Sequence, residues 1–137
     1  MSTAHAGTGA KILDVITIGR ASVDLYGQQI GTRLEDIGSF AKSVGGCPAN
    51  IAVGTARLGL KSALISRVGN EQMGRFIVEQ LGREGVETAG IATDPERLTA
   101  LVLLSVEAEG VSPMIFYLTD CADMALSEAD IDPALIA

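Results

Sequence analysis

The chain has 137 residues, 47% hydrophobic and 20% charged, enough for one globular domain with a real core and too apolar for a disordered segment. Ten Lys and Arg against seventeen Asp and Glu give a net charge of −7 with no basic stripe, which argues against nucleic acid and against an anionic membrane surface as partners. Trp is absent and aromatic residues are 4%, so the core must come from Ile, Leu, Val and Ala.

In chain order, Met1–Ala10 reads as a disordered leader, and 11–137 as one α/β unit. Lys11–Gly19 is a β-branched apolar run ending in Gly, expected as a buried first strand. Arg20–Asp24 is expected as a loop at its carboxyl end, and Leu25–Gly31 and Ser39–Val44 as short strands. Pro48–Leu58 reads as a helix closed by Gly59, and Ser62–Val68 as a strand. Ser39–Val68 would then be a strand–helix–strand unit of a parallel sheet. Asn70 is placed to cap the next helix, whose buried stripe is Met73, Phe76, Ile77 and Leu81. Val86–Ile91 is expected as a short strand and Asp94–Arg97 as a turn. Leu98–Glu107 and Ser112–Leu118 read as a hairpin through Ala108-Glu109-Gly110, and Ser127–Asp130 as the start of another helix. The hairpin and the 25–44 strands would form a separate antiparallel layer.

The run Gly45-Gly46-Cys47-Pro48-Ala49-Asn50-Ile51-Ala52 carries the most chemical information. Paired glycines let the backbone come close to a ligand, and Pro48 suits the first turn of a helix. Free N–H groups at that helix start suit oxygen-rich or anionic ligands, and Asn50 can both donate and accept hydrogen bonds. The same run would also serve as a strand–turn–helix junction in which glycine only permits packing. Asp24 follows the first strand, where ligands of open α/β sheets sit; its carboxylate could hold two neighbouring hydroxyls or merely stabilise a turn. Cys47 is expected to be a small buried residue rather than a catalytic thiol. The two cysteines lack CxxC spacing and the one histidine is His5, so neither a zinc site nor a histidine-based triad is supported. Residues 1–10 lack the apolar core of a signal peptide and no run reaches membrane-spanning length, so a cytoplasmic location is expected.

The glycine run, with Gly59 and Gly69 downstream, resembles the N-terminal signature of the ribokinase-like (PfkB) carbohydrate kinases. The resemblance extends from Lys11 onward, through Ala56-Arg57-Leu58-Gly59, Arg67-Val68-Gly69-Asn70, Met73–Phe76, Thr93–Ala100, Ile115–Tyr117 and Cys121–Leu126. The later stretches are similar to the branch that phosphorylates 5-dehydro-2-deoxygluconate in inositol catabolism. The resemblance implies a parallel sheet with crossover helices and a small β-lid, built from strands at about 25–44 and 98–118. It implies Mg²⁺-dependent transfer of the ATP γ-phosphoryl group to a primary hydroxyl of a sugar or sugar acid, and pairing of lids between two copies. Asp24, Gly45, Gly46, Asn50 and Tyr117 would then bind the substrate.

The sequence departs from that pattern in three places. Asn70 stands where the family usually has an acidic residue, and Leu118 where sugar-acid kinases place an Arg after the Tyr to meet the substrate carboxylate. The family's Gly-Ala-Gly-Asp motif, with its catalytic base and phosphate-binding glycines, does not occur, and Gly110 is the only glycine after Gly90. The expectation is therefore the N-terminal, substrate-binding part of a longer kinase, inactive alone and without catalytic, ATP-binding or metal residues of its own. A kinase for another sugar or a nucleoside, and a non-catalytic sugar-binding or dimerisation module, remain as alternatives.

Overall fold

The computed structural model describes residues 12–107, 110 and 112–137. The expected leader, His5, Lys11 and part of the expected hairpin turn (108, 109) lie outside the described residues, as does 111. The strands are β1 (Val15–Ile18), β2 (Ser22–Gly27), β3 (Phe40–Gly45), β4 (Ser62–Gly69), β5 (Ile91–Asp94), β6 (Ala100–Leu104) and β7 (Met114–Tyr117). The helices are α1 (Cys47–Arg57), α2 (Gln72–Arg83) and the single turn α3 (Pro133–Ile136). Short 3₁₀ turns occupy Leu34–Asp36, Ala122–Ala125 and Glu128–Asp130.

Two sheets share one core. A parallel sheet has the order β1-β4-β5, and a mixed sheet the order β3-β2-β6-β7. The middle strand β4 is buried at every position except Arg67, as expected of a parallel strand covered on both faces. Ala49 and Ala52 of α1, Ile77 and Leu81 of α2, and Leu64 and Val68 of β4 meet Val23 of β2 in that core, with Val44 and Leu101 packed against it. Each fully buried Val, Leu or Ile side chain among them contributes roughly 1.5–3 kcal/mol of transfer free energy. The expected stripe on α2 is present: Ile77 and Leu81 are fully buried, and Met73 and Phe76 are packed against the core.

Several sequence expectations need correction. Arg20–Asp24 is not a loop, because β2 begins at Ser22 and Asp24 lies within it. The cause is a period-2 alternation: Ala21 and Val23 turn into the core, Ser22 and Asp24 the other way. Ser39–Val68 is not a parallel strand–helix–strand unit, since β3 pairs antiparallel with β2 in the other sheet, while the parallel neighbours of β4 are β1 and β5. The true unit is β4-α2-β5.

The layer formed by the 25–44 strands and the hairpin is mixed rather than wholly antiparallel. Its central pair, β2 and β6, is parallel, because the chain leaves β2 through β3, the helices and the other sheet before returning in the same direction. The expected strand Val86–Ile91 is reduced to one bridge, Ala63 to Glu87, and a turn closed by the Ile91 N–H on the Thr88 carbonyl; the strand starts at Ile91. Ser127–Asp130 forms only a single 3₁₀ turn with a capping box between Ser127 and Asp130. Cys47, expected buried, is exposed at the first position of α1.

Helix α2 is capped by Glu71, not Asn70. The Glu71 carboxylate accepts the N–H of Met73 (2.6 Å) and of Gly74 (3.3 Å), then reaches across to the N–H (3.1 Å) and hydroxyl of Thr99. The N–H of Asn70 is instead spent on the Asp94 carbonyl at 3.0 Å. Burial pushes the Glu71 carboxyl up, but these hydrogen bonds outweigh it and hold its pKa below the ordinary value.

A second knot lies at the end of β5. Asp94 is 1% exposed; its carboxylate takes the N–H of Glu96 (2.9 Å) and Arg97 (2.7 Å) and the Nε of Arg67 (2.8 Å). Arg67 also donates to Asp130 at 2.6 Å, tying β4 and β5 to the C-terminal turn. The backbone N–H of Arg97, then the Arg67 guanidinium, hold the Asp94 carboxyl far below its ordinary 3.8. A depressed carboxylate pKa stabilises the fold above the unfolded value, and that stability is lost as pH falls through the folded value. The melting temperature should therefore drop on acidification below about pH 4, a range set by ordinary carboxyl pKa values. Asp94→Asn should melt lower at pH 7 and show a shallower acid limb, checked by calorimetry across pH 2–7. Equal acid limbs for the two proteins would contradict this assignment.

Candidate active site

The site is built where β2, β3 and α1 converge beyond the end of β1. Gly46 is the N-cap of α1 at φ 96°, ψ 130°, and no side chain caps the helix there. The first N–H groups of α1 thus keep their hydrogen-bonding capacity for a ligand. The turn is seated on β1 by Thr17, whose hydroxyl donates to the Pro48 carbonyl at 2.9 Å.

Both glycines of the turn are required sterically. In the β2–β3 pairing Gly45 lies opposite Ser22 and Ser43 opposite Asp24, so the Asp24 carboxylate leans across Gly45. A Cβ on Gly45 would collide with all three carboxyl atoms of Asp24. A Cβ on Gly46 would collide with the main-chain oxygen of Arg20, and the φ of Gly46 is one that L side chains avoid. Asp24 is half-buried, and the Ser22 hydroxyl donates to its Oδ1 at 2.9 Å. That bond steadies the carboxylate and leaves acceptor positions for ligand hydroxyls.

Asp24, Gly45 and Gly46 are brought together as the sequence suggested. Asn50, one turn into α1, donates its N–H to the Gly46 carbonyl at 2.9 Å. Its exposed side chain lines a cleft of about 240 Å³ between α1 and α2 with Ser43, Arg57, Gln80 and Glu84, a cleft that does not include Asp24, Gly45 or Gly46. Tyr117 is not brought to Asp24, Gly45 and Gly46 either. It pairs with Leu101, which pairs with Val23, so it belongs to the opposite face of the mixed sheet from Asp24. There it lines a cleft of about 890 Å³ with Arg97, Leu98, Thr99 and Phe116. The β7 residue in register with Asp24, through Val102, is Phe116.

Two residues escaped the sequence reading. Arg20, just before β2, places Nε 2.6 Å from Oδ2 of Asp123, which is 6% exposed. Only the neighbourhood of Asp123 was legible, as part of a family-like stretch; 103 positions separate the pair. Among the described residues, no group of three or more His, Cys, Asp or Glu side chains is placed to hold a metal ion.

A parallel sheet with a β-layer beside it, an acidic strand residue and an uncapped, glycine-opened helix start define an α/β protein suited to a small hydroxyl-rich ligand. The comparisons narrow that class. The chain belongs to the pfkB family of carbohydrate kinases, whose profile matches residues 13–137. It is 41% identical over 123 residues to a 5-dehydro-2-deoxygluconokinase of Geobacillus kaustophilus, covering 89% of this chain and 37% of that protein. A PfkB protein from Polaromonas sp. superposes with a TM-score of 0.85 at 32% identity, covering 91% of this chain and 42% of that one. An uncharacterised sugar kinase from Pyrococcus horikoshii in complex with ATP superposes at 0.81 with 36% identity, covering 89% and 39%. The fold is ribokinase-like, and the chain spans about two-fifths of the length of these relatives.

Gly45→Ala should lower stability by about 1–3 kcal/mol, because the new methyl must displace Asp24 or the strand. Gly54→Ala, inside α1 with open space around it, should raise stability by about 0.5–1 kcal/mol. Urea unfolding of the two variants beside the parent checks both signs; a neutral Gly45→Ala would mean that the turn and Asp24 are not packed together.

Proposed function

We propose that this segment is the sugar-binding and lid part of an ATP-dependent carbohydrate kinase that phosphorylates a primary hydroxyl of a sugar acid, 5-dehydro-2-deoxygluconate or a close analogue. The observation that carries the reading is the packing of the Asp24 carboxylate over Gly45, beside the open N-terminus of α1. Two hydroxyls of the substrate lie on Asp24, and the N–H groups at Gly46 and Cys47, with Asn50, hold its oxygens. Family membership and the names of the relatives support the reaction, and the solved complex with ATP supports the phosphoryl donor.

In the reaction the substrate hydroxyl oxygen bonds to the γ-phosphorus, the bond to the β-phosphate oxygen breaks, and the hydroxyl proton passes to a base. That base, the ATP site and the Mg²⁺ site are assigned to parts of the kinase outside these 137 residues, so the segment alone should not turn over. Phosphoryl transfer depends on positioning and on exclusion of water, and the mixed sheet supplies the cover. Its edge strand β7 exposes Met114, Ile115, Phe116 and Tyr117, all at 44% or more, which supports pairing of this surface with the lid of a second copy. Tyr117 is assigned to that surface rather than to the first contacts with the sugar. No helix among the described residues is long and apolar enough to cross a membrane. A cytoplasmic location fits a substrate and a nucleotide that are both polar.

A second reading, a kinase for an uncharged sugar, draws on Leu118, which is apolar where sugar-acid kinases are expected to carry an Arg.

In a full-length kinase carrying this segment, Asp24→Asn should lower kcat/KM by about 10²-fold through loss of charge-assisted hydrogen bonds, with the melting temperature little changed. Activity within threefold of the parent would remove Asp24 from the site.

A further inference from the structure

Arg20 lies between the end of β1 and the start of the strand that carries Asp24. Gly19 turns the chain at the end of β1 with φ 135°, and the chain then runs through Arg20 and Ala21 into β2. Ala21 and Val23 are sunk in the core, while Ser22 and Asp24 are joined on the other side by a hydroxyl–carboxylate bond. Arg20 is two residues before Ser22 in the same alternation. Its main-chain oxygen lies against the α carbon of Gly46, so Arg20 flanks the start of α1 as Asp24 flanks Gly45.

The Arg20 side chain is held from one edge. Nε donates to Asp123 Oδ2 at 2.6 Å, and Nη2 lies 3.5 Å from Sδ of Met124. The Asp123 side chain is 6% exposed, and its Oδ1 has no hydrogen-bond partner among the described residues. The Arg20 side chain remains 33% exposed. A guanidinium has five N–H donors in a planar fork, so this anchoring fixes its plane and leaves donors open. Arg57 is engaged with Glu84, Arg67 with Asp94 and Asp130, and Lys42 lies over the Phe76 ring, while Arg97 lines the separate Tyr117 cleft.

Electrostatics favours a cation beside an acidic substrate. An anion entering beside Asp24, in a chain of net charge −7, meets like-charge repulsion unless a positive group faces it. We propose that Arg20, oriented by Asp123, is the specificity-determining residue that binds the carboxylate of an acidic sugar whose hydroxyls rest on Asp24. The inference rests on the sugar-kinase reading above and removes the need for a cation at Leu118. A bidentate guanidinium–carboxylate pair would set the substrate's direction in the cleft and discriminate against the uncharged sugar.

The test uses the full-length kinase with two substrates, a six-carbon 2-deoxy sugar acid and the matching neutral sugar. The parent enzyme should favour the acid by on the order of 10²-fold in kcat/KM. Arg20→Gln should raise KM for the acid at least about tenfold and leave KM for the neutral sugar within about twofold, with Arg20→Lys recovering only part of the loss. Equal effects of Arg20→Gln on both substrates, or no effect, would overturn the assignment. Should the variant fail to fold, the parent decides alone: equal kcat/KM for acid and neutral sugar overturns it. Transfer to the neutral sugar without preference would leave the kinase reading standing and this inference fallen, whereas transfer to neither would remove both.

Discussion

The structure depends on one close approach, that of the β2 backbone and the Asp24 carboxylate to Gly45 and Gly46. At this point the chain passes from the mixed sheet into α1, and there is no space for a side chain on either glycine. The consequence is chemical as well as steric. A carboxylate, the Arg20 main chain and an uncapped helix start are forced into one neighbourhood by a turn of two residues. Thr17 on Pro48 anchors the same turn to the end of the parallel sheet, so the site inherits the rigidity of the core beneath it.

The way the two sheets share a core explains how that neighbourhood is held. Val23 enters the core from β2, and Val44 and Leu101 pack against it from the flanking strands, while Ser22 and Asp24 point away. The alternation that buries one face of β2 therefore presents the acidic face, and a one-residue slip would reverse both at once. The mixed sheet is at once part of the core and the wall of the proposed ligand site. The Glu71–Thr99 and Arg67–Asp94–Asp130 networks then tie the return path from β5 into β6, which keeps the central β2–β6 pair in register.

Much of this was legible in the sequence, and the failures have physical causes. The α2 stripe, the glycine turn and the hairpin strands showed themselves because periodicity and turn chemistry are local. Asp24 was identified as a candidate while its element was misread, because Arg20–Asp24 carries polar residues at alternate positions and a half-buried strand then looks like a loop. The strand at Val86–Ile91 was misplaced because an apolar run does not show which of its residues finds a partner. The parallel β2–β6 pair could not be seen locally, since its partners are separated by two helices and the other sheet. Glu71 outcompeted Asn70 as a cap by reaching Thr99, and Arg20 found Asp123 across 103 positions. Tyr117 fell on the other face of the sheet by register, which composition cannot reveal.

The most direct test is the crystal structure of a full-length kinase carrying this segment, grown with the sugar acid. Two ligand hydroxyls are expected at about 2.6–3.0 Å from the Asp24 carboxylate, with a ligand oxygen facing the N–H groups at Gly46 and Cys47. A ligand lodged in the Tyr117 cleft, with Asp24 and the start of α1 unengaged, would contradict it.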